Sequence, residues 1–480
     1  MKSALIIAYF FPPEGSAGSF RPLRFVRQLS KFGWRTSVVS AVPYRYERYD
    51  PDLLKQLPSD SEVVRVQGRD PWQHVQSWRG AVIEQKLARS SDETAEKIRA
   101  AHYKPIRTLV RQAVCRLEAC YYQPDMAKPW IGPATMAAIQ LCRRNRPDVI
   151  WATAGPVSAW IVARKVSQAM GVQYVLDLRD PHGLSYYEPE VRRPKWLLHR
   201  MRRTMYQLFK NSQSIVFLFN SVAECYFRAF PGAIDPKKVH IIPNGYEGSI
   251  DNPAPPDGNT FNILYTGTVV SYRYDTLLKA LVTLKNTHPT KAQRLRIKFV
   301  GEGMEDLAKQ AGALGLSDVV ETSSPTTHAE TTRLERAAHA FLVLGRLSTI
   351  KGHELFAGAK LFNYLKANRP ILGVLPDDET RKVLQHVGVS SIADADSPVE
   401  IVAQLEKLID AWSDKTLFSL LPDHTKCGLY SAECQTQALV RALLGTPAAN
   451  PFVAGSVEVP PSLRETVWSN AKRLDDYGWI

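Results

Sequence analysis

The stretch Ala359-Lys360-Leu361-Phe362-Asn363-Tyr364-Leu365-Lys366-Ala367-Asn368-Arg369-Pro370-Ile371-Leu372-Gly373-Val374 constrains the fold more than any other. Leu361, Phe362, Tyr364 and Leu365 recur at helical spacing, Arg369-Pro370 stops the helix, and Ile371 to Leu375 is a short buried run. A helix that feeds directly into an apolar strand belongs to a parallel α/β sheet. In such folds the helix N-terminus, with free N–H groups and a partial positive charge, lies on the face where ligands bind. Lys360 stands at that end. A cation there is unfavourable by the helix dipole alone, and an anion such as a diphosphate between the two removes the conflict. The plainer alternative is a solvated surface lysine.

The same alternation recurs along the chain. Ser3 to Phe10 reads as a strand, Phe11 to Ser19 as a loop holding Gly15 and Gly18, Arg21 to Phe32 as an amphipathic helix, and Thr36 to Val42 as the second strand. Strand, glycine loop and helix let backbone amides approach a phosphate or sugar closely, although Gly15-x-x-Gly18 lacks the third glycine of a dinucleotide fingerprint. Further on, Pro147 to Ala154 is a strand, Pro156 to Met170 a helix, and Gly171 to Asp177 a strand running into Leu178-Arg179-Asp180-Pro181-His182. Charged groups directly after a buried strand sit at the ligand-binding edge of a parallel sheet, which makes Asp180 and His182 candidates for chemistry. An Asp177–Arg179 ion pair fixing the loop is the structural alternative. Ile215 to Phe219 and Val239 to Ile242 add two short strands.

Residues 248–259, rich in Pro, Gly, Asn and Asp, read as a linker to a second α/β series. That series has strands at Phe261 to Tyr265, Leu295 to Val300, Val319-Val320 and Phe341 to Leu344, with helices at Tyr274 to Leu284, up to Leu314, at Thr331 to Ala338 and near Val399 to Trp412. Asp394-Ala395-Asp396 lies in a loop before the last of these and reads as surface rather than a metal site. The domains expected are therefore 1–247, 248–430, a final helix within 431–445, and an appendage over 446–480.

At 480 residues the chain exceeds one core. Its net charge of +14 favours an acidic partner: nucleic acid, phosphorylated small molecules or an anionic membrane. No helix-turn-helix, zinc or RNA-recognition pattern accompanies the charge, so no nucleic-acid partner is expected. The six cysteines form no C-x-x-C pair, which argues against a disulfide framework or a structural metal and fits a reducing, cytoplasmic setting. Two basic zones stand out. Arg107, Arg111 and Arg116 flank an apolar stripe from Ile106 to Leu117, and no acidic residue lies between Glu190 and Glu224, where Arg192, Arg193, Trp196, Arg200 and Arg203 cluster. Either surface suits anionic lipid on the inner membrane face or a lipid-linked acceptor, against the plainer reading of solvated helix faces.

The order of the Pro-Pro-Glu-Gly loop, Asp177-Leu178-Arg179-Asp180, Ile242-Pro243-Asn244-Gly245, Tyr265-Thr266-Gly267, Phe299-Val300-Gly301-Glu302-Gly303 and the Lys360-Leu361-Phe362-Asn363-Tyr364-Leu365 stretch resembles family 4 glycosyltransferases of the GT-B fold, across about residues 1–445. The resemblance implies two Rossmann-like domains facing a cleft, a final helix crossing back to the first, and a role in bacterial polysaccharide or lipid-linked glycan assembly. It implies a nucleotide-sugar donor held mainly by the C-terminal domain, a glycan or lipid-linked acceptor held mainly by the N-terminal one, and transfer with retention, without a required metal or other cofactor.

On this resemblance Lys360 and Arg273 meet the donor diphosphate, with Gly267, Gly301, Glu302, Gly303, Leu361 and Asn363 around the donor. Gly15 and Gly18 lie near the reacting centre, and His182 or Asp180 serves the sugar or acceptor hydroxyl. Two positions depart from the family pattern: Thr268 stands near a customary arginine, and Asn363 replaces a customary glutamate, whose negative charge a carboxamide does not supply. The alternative function they raise is a catalytically impaired GT-B scaffold that binds a nucleotide sugar or a partner protein.

Overall fold

A computed structural model describes residues 1–42, 48–68, 120–180, 195–252, 256, 258–346, 355, 357–450 and 453. The chain divides into two units, the first built mainly of Met1–Val216 and the second mainly of Ile241–Leu439.

The first unit carries a seven-stranded sheet of β1 (Lys2–Ala8), β2 (Trp34–Val42), β3 (Glu62–Gln67), β4 (Val149–Thr153), β5 (Tyr174–Leu178), β6 (Ser214–Phe217) and β7 (Val239–Ile241), in the order β3-β2-β1-β4-β5-β6-β7. The central strands β1, β4 and β5 are buried along nearly their whole length, as continuous apolar runs covered on both faces must be. Helices α1 (Ala17–Lys31), α2 (Ile131–Asn145), α3 (Ser158–Met170), α4 (Lys195–Asn211) and α5 (Asn220–Ala229) accompany them. The strand order reverses between β1 and β4, so the loops after these two strands meet at the topological switch point.

The second unit repeats the plan with β8 (Phe261–Thr266), β9 (Leu295–Val300), β10 (Val320–Ser323), β11 (Ala340–Leu344), β12 (Ile371–Leu375) and β13 (Ile392–Asp394), ordered β10-β9-β8-β11-β12-β13. Its helices are α6 (Asp275–Thr287), α7 (Pro289–Arg294), α8 (Met304–Ala313), α9 (His328–Ala337), α10 (Ala359–Ala367), α11 (Glu379–His386), α12 (Pro398–Ser413), α13 (His424–Gly428) and α14 (Ala432–Leu443). Here the switch point falls between β8 and β11. Phe261, Ile263, Leu281, Leu295, Phe299, Leu342, Leu372 and Leu405 belong to one buried cluster that joins sheet and helices.

Local chemistry sets the element ends. Ser397 accepts from the Glu400 N–H at 3.3 Å and Pro398 follows it, so α12 opens on a side-chain cap with proline at N1. Gly171 closes α3 in the left-handed region. The stop after α10 differs from the one read off Arg369-Pro370. Asn368 turns into the left-handed region at φ 53° and its amide donates to the Asp251 carbonyl at 3.0 Å. The first helix also begins earlier than its apolar periodicity indicates, at Ala17, which places Gly18 inside the helix rather than in the loop before it.

Among the described residues no helix is long and apolar enough to cross a membrane. The basic stripe 106–117, with Arg107 and Arg111, and residues Arg192, Arg193 and His182 lie outside the described residues.

Candidate functional site

In the second unit the last register pair between β8 and β9 is Thr266 with Val300, so Gly267 and Gly301 leave the sheet side by side at its C-terminal edge. The Gly267 N–H donates to the Val300 carbonyl at 2.8 Å. Both glycines have positive φ, 133° and 152°. A Cβ on Gly301 would collide with the Gly267 backbone, and a Cβ on Gly267 would overlap the Lys360 ammonium. Lys360 therefore lies directly over the chain where β8 ends, at the switch point, in the first turn of α10.

Tyr364 holds this arrangement. One turn beyond Lys360 on the same helical face, its hydroxyl accepts the Thr266 N–H at 2.8 Å and shares a 3.0 Å hydrogen bond with the Thr266 hydroxyl. Its ring stacks on Phe341 of β11 at 4.3 Å. Burial pushes the Tyr364 phenol up to about 12, which keeps it neutral and hydrogen-bonding. Tyr364 thus anchors α10 to both strands that flank the switch point. Sequence periodicity reads it only as an apolar helix position, and its hydroxyl is the signal that distinguishes it.

Lys360 is exposed as a residue, yet desolvation around its ammonium moves its pKa below the ordinary lysine value, opposed by the carboxylates of Glu335 and Glu302. The Leu361 N–H already donates to the Gly358 carbonyl at 3.1 Å, and a desolvated cation at the positive end of a helix dipole is poised to gain from an anion. Glu302 is exposed after β9, and its carbonyl accepts from Val269 N at 3.1 Å. Asn363 is exposed on α10. Leu361 is buried and packs into the core instead.

Arg273 is placed at the same sheet edge by its N–H bond to the Gly345 carbonyl at 2.9 Å, and its guanidinium pairs with Asp396. Asp396 is exposed, as expected of a surface stretch, and the ion pair with Arg273 ties it to the fold. Asp394 ends β13 and its carboxylate also accepts the Asp396 N–H at 2.7 Å. Arg346, after β11, is another cation that periodicity does not reveal. It bridges to Tyr272, with Nε 3.4 Å from the phenol and the guanidinium 5.5 Å from the ring centre. The Thr268 hydroxyl accepts from Val270 N at 3.1 Å within its own turn.

The first unit has its own cluster after β1, β4 and β5. Asp177 is fully buried and accepts from Arg21 Nε at 3.1 Å, Arg21 Nη2 at 2.8 Å and the Thr153 hydroxyl at 2.7 Å. Its ion pair is with Arg21 of α1 and not with Arg179, as adjacency in the sequence suggests. Arg179 instead donates to the Ala154 carbonyl at 2.7 Å and the Gly18 carbonyl at 2.6 Å, which binds the loop after β5 to the first turn of α1. Asp180 follows it, half-buried. Gly15 and Gly18 have structural reasons of their own: the Gly15 N–H donates to the Arg48 carbonyl at 2.7 Å, and a Cβ on Gly18 would sit 3.0 Å from the Phe10 ring. Trp196 and Arg200 are exposed on α4.

The family model for a glycosyl transferase 4-like domain matches residues 19–245. No curated protein matches the sequence. Among solved structures, sucrose-phosphate synthase from Thermosynechococcus elongatus is similar at TM-score 0.58 and 9% identity, covering 92% of this chain and 98% of its own. A trehalose-6-phosphate protein from E. coli, bound with UDP-2-fluoro glucose, follows at 0.54 and 12%, covering 92% and 99%. S. aureus TarM, in complex with fondaparinux, α-GlcNAc-glycerol and UDP, is similar at 0.54 and 9%, covering 92% and 100%. Residues 19–245 thus match the glycosyl transferase 4-like domain, and the two units share the GT-B fold of these glycosyltransferase structures.

Proposed function

We propose that the protein is a retaining glycosyltransferase that moves a sugar from a nucleotide-diphosphate donor to a glycan or lipid-linked acceptor, in cell-surface polysaccharide biosynthesis and with no required metal. The observation that carries this reading is the seat of Lys360 over Gly267 at the switch point of the second unit. UDP or a UDP sugar in two structures of similar fold supports a nucleotide donor.

The difficult step is departure of the nucleotide diphosphate, as negative charge grows on the leaving oxygens and the sugar becomes oxocarbenium-like. A cation and helix-end amides already in place stabilise that charge without reorganising as it develops. Lys360 and the first amides of α10 take this role. Arg273 is the second cation, once a phosphate draws its guanidinium from Asp396. Gly301, Glu302 and Gly303 shape the floor beside Gly267, and the Asn363 carboxamide hydrogen-bonds a ribose or sugar hydroxyl. In the first unit, Gly15 and Gly18 lie near the reacting centre on the donor side, His182 or Asp180 serves the sugar or acceptor hydroxyl, and Trp196 and Arg200 rest on an anionic membrane surface.

A panel of nucleotide sugars, assayed for nucleotide diphosphate release with and without a chelator, tests the reading. Transfer to added acceptor that survives the chelator is the expected result. Donor binding without transfer would assign the scaffold reading, which Asn363 and the Arg273–Asp396 pair favour.

A further inference from the structure

A cavity of about 540 Å³ opens in the first unit, lined by Arg164 of α3 and by Arg200, Arg203, Thr204 and Gln207 of α4. On α4 these residues are three, four and seven positions apart, so they form one helical face. Three arginines thus line one space. Neither helix carries an acidic residue: α3 reads SAWIVARKVSQAM and α4 reads KWLLHRMRRTMYQLFKN.

Arg164 Nε is buried and has no hydrogen-bond partner among the described residues. A desolvated donor on a cation without an acceptor is costly, and like charges nearby add to that cost. A negatively charged group in the space offsets the repulsion among the arginines that line it. Gln207 is oriented to help: Asn211 Nδ2 donates to its Oε1 at 3.2 Å, which leaves the Gln207 amide hydrogens to be donated elsewhere. Guanidinium forks match a phosphate oxyanion in shape as well as charge. A volume of this size also holds the group a phosphate is esterified to.

We propose that this cavity is a phosphate-binding site in which Arg164, Arg200 and Arg203 hold the oxyanion and Gln207 donates to it. Trp196 continues the same α4 face one turn before Arg200 and is 58% exposed. An exposed indole beside a phosphate site suits a lipid headgroup at a membrane interface, and a soluble phosphate is the other source of the same chemistry. The assignment extends the membrane-surface reading of Trp196 and Arg200, and it stands apart from the donor site because no nucleotide sugar enters its test.

The purified full chain is titrated calorimetrically with inorganic phosphate, and separately floated with vesicles of phosphatidylcholine alone or mixed with phosphatidylglycerol. R200Q/R203Q is compared with K165Q/K210Q, which removes the same charge from exposed positions outside the cavity. The R200Q/R203Q pair is expected to weaken binding by about tenfold or more, through loss of two charge-assisted forks. The control pair is expected to change it by less than about threefold, as screened surface charges do. Phosphate binding with this pattern identifies a soluble source, and vesicle binding alone with this pattern identifies a headgroup. Failure of both probes to bind, or equal weakening by the two pairs, overturns the proposal. Should the double variant fold poorly, R203Q alone, at an exposed helix position, carries the same comparison.

Discussion

The Tyr364 hydroxyl and the Thr266 backbone nitrogen lie 2.8 Å apart, and this bond helps tie the helix carrying Lys360 to the strand whose end Lys360 covers. Both groups are buried, so neither finds water when the other is removed. Tyr364→Phe keeps the ring stacked on Phe341 but orphans the Thr266 amide and hydroxyl. A loss of about 1–3 kcal/mol is expected in urea unfolding, read as a lower midpoint at unchanged slope.

Gly267 and Gly301 respond differently to the same added methyl. At Gly301 the new Cβ meets the Gly267 backbone, which has nowhere to move, whereas at Gly267 it meets the flexible end of Lys360. Both positions also carry the strain of positive φ, on the order of 1–3 kcal/mol. Gly301→Ala is therefore expected to lower the melting temperature more than Gly267→Ala does. Gly267→Ala is expected to weaken nucleotide diphosphate binding in proportion to the displacement of the ammonium. Equal melting temperatures would show that the two turns are looser than this packing implies.

Asp177 is a buried charge held by Arg21 and Thr153. Removing it leaves Arg21, itself buried, without its counter-charge. Asp177→Ala is expected to cost about 3–5 kcal/mol, measured by chemical denaturation, although no substrate need touch it. A loss within the range of exposed ion pairs would mean that Arg21 finds other partners.

Burial, with the neighbouring Glu379 carboxylate, pushes Asp378 up to about 7. The folded state then binds a proton that the unfolded chain has already released, so this group's contribution is full below about pH 4 and is lost as pH rises through 7. Asp378 also accepts the Arg381 N–H at 2.8 Å as the cap of α11, a bond that asparagine retains. In Asp378→Asn, the decline in stability between pH 4 and 7 is expected to flatten by several kcal/mol across the window. His240, which burial and Arg441 bring down to about 4, gives the opposite slope in part of that range, so the comparison is made between variant and parent at each pH.

Much of the fold was legible because its strands are short apolar runs punctuated by Gly and Pro. The runs that became β1, β4, β8, β11 and β12 are buried along most of their length, and such runs stand out from any helix around them. β3 did not stand out: Glu62–Gln67 lies at the sheet edge, and its residues are only partly buried. The helix Ile131–Asn145 carries little hydrophobic signal, since two of its four buried positions are alanine and one is cysteine.

The position of Lys360 in the first turn of its helix was legible from the helical spacing of Leu361, Phe362, Tyr364 and Leu365. The partners that define its surroundings were not. Thr266 is 98 positions from Tyr364, and Arg273 is 123 from Asp396, so no local pattern records either pairing. Gly15 and Gly18 illustrate the converse. Their types invite a ligand, and the chain already uses them against Arg48 and Phe10.

The most direct test of the donor site is calorimetry of nucleotide diphosphates, without added metal, against the native chain and Lys360→Ala. One nucleotide class is expected to bind, with the variant weaker by about 1.5–3 kcal/mol, the scale of a hydrogen bond to a charged group. Equal binding by both proteins would contradict the placement of the diphosphate at Lys360.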